Sequence, residues 1–362
     1  MPIFWRYLFR EFFKTFSLSL SGLIACLLIT RFQDIAHFAT LAGNFRLTLL
    51  FTLYQIPYIL PFAIPISCLI ASMTLFQKLS TSHELTALRS AGLSLKTIKQ
   101  PLKFLALFLA IGNFLIVSEL TPITRRKGNT LLKDLMSSNP LLVLEKNKQL
   151  KIKDSYIDMD SLEVGKGVKN MILVLSQGDH LALLSIESLQ VKERHLIGQN
   201  VAYITPLSHR EENKLPDLMV ENQKTIEMEL SALTPLLIPP SLAERTEYYP
   251  LKPLIESLAK ASLREKSLAK GKYELMRRFF FPLLTLTFTF LGMSFGCQVG
   301  RNKTSQAIKT LIMASYAFLC FLASKSQHRH PQFAALFILI LPHLPLLYLA
   351  RRAEQRMNRG LE

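Results

Sequence analysis

Residues 80–94 read Ser-Thr-Ser-His-Glu-Leu-Thr-Ala-Leu-Arg-Ser-Ala-Gly-Leu-Ser, a short polar segment between two long apolar blocks. Thr81 and Glu84 have the T-x-x-E spacing of a capping box, in which each side chain satisfies a free backbone N–H at a helix start. Gly92 can take the left-handed conformation that stops a helix, and Ser94 can cap the next one. Leu85, Leu88 and Ala91, at i, i+3 and i+6, make one apolar stripe. The stretch predicts a small amphipathic helix over about 81–92. Such a helix between two spans either lies on the bilayer surface or docks into a partner as a coupling helix.

The flanking blocks decide the class. Of 362 residues, 49% are hydrophobic, and the mean hydropathy of +0.25 is too apolar for an ordinary soluble domain. Blocks near 12–33, 49–76, 102–121, 279–298, 306–324 and 332–350 approach or exceed the roughly 20 residues that cross a hydrocarbon core. Six transmembrane helices are predicted. The first block is too long for a signal peptide and lacks its small-residue cleavage pattern, so it is read as a span.

The net charge of +17 has a membrane explanation rather than a nucleic-acid one. Basic residues gather before span one (Arg6, Arg10, Lys14), between spans two and three (Lys78, Arg89, Lys96, Lys99, Lys103), between four and five (Arg301, Lys303, Lys309), and after six (Arg351, Arg352, Arg356, Arg359). Alternating spans put all four groups on one side, which the positive-inside rule makes cytoplasmic, together with both termini. A further cluster, from Lys260 to Arg278, falls on the opposite side just before span four. All four cysteines, Cys26, Cys68, Cys297 and Cys320, lie in predicted spans, leaving the outer segment without a disulfide framework.

Within span two, Pro57, Pro61 and Pro65 recur every four residues and project from one face. Their freed carbonyls need partners in neighbouring helices or water. The span is then either a kinked helix packed in a bundle, or one whose kinked face lines a cavity. Span three closes on Glu119-Leu-Thr-Pro122, a carboxylate followed by a helix breaker, and the carboxylate is read as structural. Across 124–250 charges return and the apolar period shortens to two. Tyr156–Asp160, Met171–Leu175, Leu184–Val191, Val201–Thr205 and Thr225–Leu230 read as strands, separated by turn signals such as Gly165-Lys-Gly and Gln177-Gly-Asp. Periodicity does not choose among sandwich, barrel and jelly roll. Pro235, Pro239, Pro240, Pro250 and Pro253 make a semi-rigid return, and a connector helix over about 251–278 leads into span four. There Gly292 and Gly296 form a G-x-x-x-G suited to close helix packing.

No G-x-x-x-x-G-K-[ST] loop occurs, so any ATP used by the protein is held by another subunit. His328-Arg-His330 has no third ligand nearby, which argues against a metal, and no catalytic triad or carboxylate pair stands out. Arg31, Arg46, Arg277 and Arg278 lie near the outer interface. Each can snorkel to the headgroups, or as a set they can grip the phosphates of a polyanionic lipid.

Glu84-Leu-Thr-Ala-Leu-Arg-Ser-Ala-Gly92 resembles the E-x-x-A-[LM]-R-[AS]-A-G stretch of the LptF/LptG (YjgP/YjgQ) family, the permease subunits of the lipopolysaccharide exporter, and it sits between the same two spans. Lys272-Tyr-Glu-Leu-Met-Arg-Arg-Phe-Phe-Phe-Pro282 and Met293-Ser-Phe-Gly296 resemble that family's approach to span four and its close. The resemblance implies transmembrane helices 1–3 over 1–123, a periplasmic β-jellyroll over 124–250, the connector over 251–278, and helices 4–6 with a cytoplasmic tail over 279–362. It further implies a Gram-negative inner-membrane heterodimer of two such permeases on an ATPase dimer. In that assembly ATP and Mg are bound by the ATPase, no cofactor by this chain, and lipopolysaccharide passes to a periplasmic jellyroll bridge toward the outer membrane. Glu84, Leu85, Leu88 and Arg89 then carry the coupling contact. The outer loop Lys325-Ser-Gln-His-Arg-His-Pro and span six, with Leu-Pro-His343 in place of a tryptophan-bearing pattern, depart from the family, and neither subunit type is selected. Two alternatives stand beside it: a permease of the same architecture for another lipid or a lipoprotein, and, from another class, a membrane-anchored assembly scaffold, which would need neither six spans nor a triple-proline helix.

Overall fold

The computed structural model describes residues 2–138, 149–152, 155–163, 167–177, 180–192, 195–206, 218–229, 246–259, 265–297, 303–326 and 340–358. The chain divides into two compact units. One comprises Met1–Ile35, Leu49–Gly128 and Arg245–Glu362; the other comprises Ala36–Thr48 and Asn129–Glu244.

The first unit is helical, and the helical stretches 36–42, 45–48 and 129–138 belong to the second. Helix α1 (Pro2–Ile29) is followed by α2 (Phe32–Ala42), and α3 (Phe45–Thr81) is a continuous 37-residue helix, about 55 Å long at 1.5 Å per residue. After the short α4 (Glu84–Ser90) comes α5 (Leu95–Leu115), which passes through a π-turn at Ile116–Leu120 into α6 (Thr121–Ser138). Beyond the β insertion lie α7 (Leu251–Ala259), α8 (Glu265–Phe280), α9 (Leu283–Gly296), α10 (Lys303–Ser326) and α11 (Leu341–Asn358). Among the described residues four helices are long and apolar enough to cross a membrane: Ile3–Ile29, Phe45–Thr81, Leu95–Leu135 and Leu268–Gly296. A shorter apolar helix, Ile308–Cys320, coincides with the expected fifth span, and much of the expected sixth lies outside the described residues.

All four of these helices start or end beyond their apolar blocks, and Pro122 is the instructive case. It does not break the helix, because it follows the π-turn in the first turn of α6. Its missing N–H orphans the carbonyl of Ser118, four residues back, and the Arg278 guanidinium donates to that oxygen at 3.4 Å.

The proline ladder of α3 is resolved in the same way. Pro61 offers no N–H to the Pro57 carbonyl, and Pro65 none to that of Pro61. Thr121 Oγ1 donates to Pro57 O at 2.8 Å, and Asn113 Nδ2 to Pro61 O at 3.4 Å. Asn113 is fully buried and also donates to Thr285 Oγ1 on α9 at 3.3 Å, so one amide ties three helices together.

Close packing of α3 on α9 depends on glycine. A Cβ at Gly292 would overlap Ser72 Oγ and lie 2.7 Å from the Leu69 carbonyl oxygen; one at Gly296 would lie 2.6 Å from that of Met73. The G-x-x-x-G is therefore a helix contact. One apolar core joins Leu8, Phe12 and Phe16 of α1 to α3, α4, α5 and Met293. A second joins Leu69 and Phe281 to α9, Ala317 of α10, and Leu346 and Ala350 of α11. On the other side of α5, Phe104, Leu107, Phe108, Ile111 and Leu115 form an exposed apolar stripe, as a lipid-facing surface requires.

The second unit carries a six-stranded antiparallel sheet: β1 (Gln149–Ile152), β2 (Ser155–Glu163), β3 (Gly167–Gln177), β4 (His180–Lys192), β5 (His195–Pro206) and β6 (Leu218–Glu229). Each strand pairs with its sequence neighbour in the order 1-2-3-4-5-6, a meander. The jelly-roll crossover expected from the family resemblance is not present among the described strands. Met171, Leu173, Ala182, Ile186, Leu189 and Val201 are buried, marking the sheet's core face. Asn170 and Asn200, at φ of 51° and 50°, interrupt the pairing of β3 and β5. Asparagine suits this left-handed backbone, and Asn200 Nδ2 donates to Glu187 Oε2 at 2.6 Å.

Candidate functional site

Two groups of polar side chains stand out, one at each end of the helical unit. The first surrounds α4. The expected capping box does not form, because α3 runs on through Thr81, whose hydroxyl turns back to the Lys78 carbonyl at 3.0 Å. His83 precedes α4 in the left-handed region at φ 60°, without a side-chain cap, a conformation that costs roughly 1 kcal/mol for a residue with a Cβ. Glu84 is instead an acceptor within the chain. It receives Ser82 Oγ at 3.0 Å and the Tyr7 hydroxyl of α1 at 3.2 Å. Close by, the Lys78–Glu11 ion pair at 2.8 Å ties the end of α3 to α1.

The far end of α4 follows the sequence closely. Gly92 is left-handed at φ +84°; its N–H donates to Arg89 O at 3.0 Å, and Leu93 N–H to Leu88 O at 3.1 Å, the two bonds of a Schellman motif. Ser94 Oγ then accepts from Thr97 N at 3.3 Å and starts α5. Leu85 is buried with Leu8, Phe12, Leu95 and Ile98, and Leu88 and Leu93 pack against the same cluster. Ala91, the third residue of the expected stripe, is exposed. Arg89 is also exposed and has no hydrogen bond or ion pair among the described residues. The result is a helix anchored by one face and rigidly joined to α5, with Arg89 facing outward.

The second group holds three of the four arginines singled out in the sequence. Arg278 is fully buried. It donates from Nε to Glu274 Oε1 (3.0 Å) and from Nη1 to Tyr249 O (2.8 Å) and Ser118 O, while Nη2 reaches Glu247 O (3.3 Å). Arg277 binds Glu274 with both Nε (2.9 Å) and Nη2 (2.7 Å). The basic pair thus shares one carboxylate, itself 3% exposed. Glu119 Oε1 accepts from Leu251 N at 3.3 Å, a structural role at the start of α7.

Arg31 is half-buried, 4.8 Å from the Tyr58 ring centroid and 3.4 Å from Asp34. Arg125 lies at the same 4.8 Å from that ring, 5.4 Å from the Tyr248 ring, and pairs with Glu247 at 3.2 Å. Arg46, in the other unit, is exposed. Sequence reasoning passed over Glu274, Arg125 and Tyr7. Only Glu274 had a local signal, its i+3 and i+4 arginines. No cluster of three or more metal-ligating residues occurs among the described residues, and His328-Arg-His330 lies outside them.

Among the described residues, four long apolar helices, with a β-sheet inserted between the third and the fourth, define a candidate multi-pass membrane protein. The chain belongs to the LptF/LptG family: residues 6–352 match the model of the lipopolysaccharide export system permease LptF/LptG. No individually curated protein matches it. It is therefore a multi-pass inner-membrane permease of lipopolysaccharide export, a transport component rather than an enzyme.

Proposed function

We propose that this chain is one permease of an ATP-driven exporter. With a second homologous permease and a cytoplasmic ATPase dimer, it extracts lipopolysaccharide from the inner membrane and passes it to a periplasmic β-jellyroll bridge. Six spans with both termini cytoplasmic fit this role, and the β-sheet unit is the periplasmic module. ATP and Mg belong to the partner ATPase.

The observation that carries the reading is α4: an apolar side fixed in the core by Leu85 and Leu88, a Schellman turn into α5, and the unpaired, exposed Arg89. A nucleotide-driven motion biases a bundle only through contacts that differ between its states. A helix locked to α1 through Glu84 and to α5 through Ser94 transmits such a contact, and Arg89 meets the ATPase. Pro57, Pro61 and Pro65 lie on the α3 face packed on Asn113 and Thr121 within the bundle. Arg277 and Arg278 are engaged by Glu274; on the helical unit Arg31, in its exposed pair with Asp34, is the candidate cation for a lipid phosphate.

Glu84→Lys is the test. Charge reversal places a cation against Tyr7 and Ser82 and removes the tie to α1. The expected result is ATP hydrolysis without lipopolysaccharide export in the reconstituted complex; wild-type export by this variant would refute the coupling role.

A further inference from the structure

Lys99 is unexpected where it lies. It sits in the second turn of α5, is 1% exposed, and its Nζ has no hydrogen-bond partner among the described residues. Its one ionic partner is Glu354 Oε1 of α11, at 3.7 Å, beyond direct hydrogen-bond reach. Burying an ammonium costs several kcal/mol, and a methionine of similar length would fill the space at no such cost. Stability alone does not explain a lysine here.

The pair joins elements that are otherwise far apart in sequence. Lys99 lies five residues after the Ser94 cap, so the Schellman turn and that cap make α4 and the first turns of α5 one rigid piece. Glu354 lies on the turn of α11 whose Ala350 and Ala353 are buried, while Arg351, Arg352 and Arg356 on the same segment are exposed. Among the described residues, this is the only ion pair that α11 makes. The N-terminal part of α11 packs with α9 around Leu346, and α9 is locked to α3 at its glycines. A displacement of α4 therefore has a charged handle on the last helix.

We infer that Lys99 is a positioning residue, forming with Glu354 a latch that hands motion of α4 to α11 and through it to the α9 packing layer. The inference rests on the reading of α4 as the coupling helix. A charge pair held at 3.7 Å with no hydrogen bond closing it has room to tighten or part as the bundle changes state. Such a difference in contact is what biases a two-state element.

The test uses the full complex in liposomes, carrying wild type, Lys99→Met, Glu354→Gln, or the exchanged pair Lys99→Glu with Glu354→Lys. The quantity read is lipid exported per ATP hydrolysed, normalised to assembled complex. Lys99→Met is expected to lower that ratio about tenfold, within the range of a single coupling contact, while hydrolysis persists. Glu354→Gln, at the more exposed partner, is expected to do the same and carries the test if Lys99→Met does not assemble. The exchanged pair is expected to restore the ratio; a purely structural ion pair would change the amount of assembled complex in the single variants and leave the normalised ratio unchanged. An unchanged ratio in both single variants, or an exchanged pair that assembles yet stays uncoupled, overturns the latch. A wild-type complex that exports no lipid on ATP hydrolysis overturns the coupling reading first and the latch with it, and is distinguished by failing before any substitution is made.

Discussion

Arg278 shows how much of this molecule is settled by single buried charges. Its guanidinium satisfies one carboxylate and three backbone carbonyls drawn from the π-turn and the 246–249 segment. Removing one partner of such a pair leaves Glu274 buried and those carbonyls unmet, at a cost of about 3–5 kcal/mol. Arg278→Ala should lower the thermal unfolding temperature of the detergent-solubilised protein sharply. Arg278→Lys should recover only part of the loss, because a point-charge ammonium cannot reach acceptors in several directions. At Tyr7 the demand is smaller. Tyr7→Phe removes one hydroxyl from Glu84 and should cost about 1 kcal/mol of stability while lowering export per ATP; an unchanged export ratio would mean that the α1 tie does not carry coupling.

Glu274, Arg277 and Arg278 were legible as neighbours, since their spacing places them on one face of a helix. Their destination was not. The acceptors Ser118, Glu247 and Tyr249 come from more than a hundred residues upstream and from the return segment, and no local pattern marks a carbonyl orphaned by Pro122. The same blindness made the two arginines look available for lipid.

Among the elements, α3 and α5 are held by polar groups that compensate for proline. Thr121 and Asn113 replace two of the backbone bonds that Pro61 and Pro65 delete. Thr121→Val and Asn113→Leu should each destabilise the bundle by roughly 1 kcal/mol, the scale measured for interhelical hydrogen bonds in membranes. The Asn113 change should be the larger, because it also releases α9. Restoring the backbone donor tests the same point: in a Pro65→Ala background the Asn113→Leu penalty should shrink when both are measured by thermal unfolding. Gly292→Leu has no such remedy. The α3 backbone lies where the side chain would go, and overpacking costs about 1–3 kcal/mol in well-packed cores.

That carbonyls freed by the prolines need partners, and that the two glycines mark a contact, was readable from residue chemistry. The π-turn was not, and so Pro122 read as a stop. At α4 the Gly92 stop and the Ser94 cap were correct because both depend on local backbone geometry. The capping box failed because α3 kept Thr81, and Tyr7, seventy-seven residues away, helped Ser82 take the Glu84 carboxylate.

At the scale of the whole chain, apolar blocks and the shift to period two separate helical from β regions, since both patterns follow from what each surface touches. Helix lengths do not follow from apolar blocks alone, because α1, α3 and α5–α6 carry polar turns past them. The sheet's first strand, Gln149–Ile152, is too short for its pattern to register, and strand order is a long-range property that alternation does not encode. Past Phe16, α1 has no buried residue, whereas its first half is anchored beside α4. α1 is therefore held to the bundle at the end where α4 packs.

The central claim is that this chain works as a permease with an ATPase on lipopolysaccharide. The most direct measurement is to purify it from its native membrane in mild detergent and identify by mass spectrometry both the proteins and the lipid that accompany it. A nucleotide-binding subunit, a second homologous permease and lipid A species together are the predicted result. Recovery of the chain alone, or with other lipids and no ATPase, would contradict the account and favour a scaffold or a permease for a different lipid.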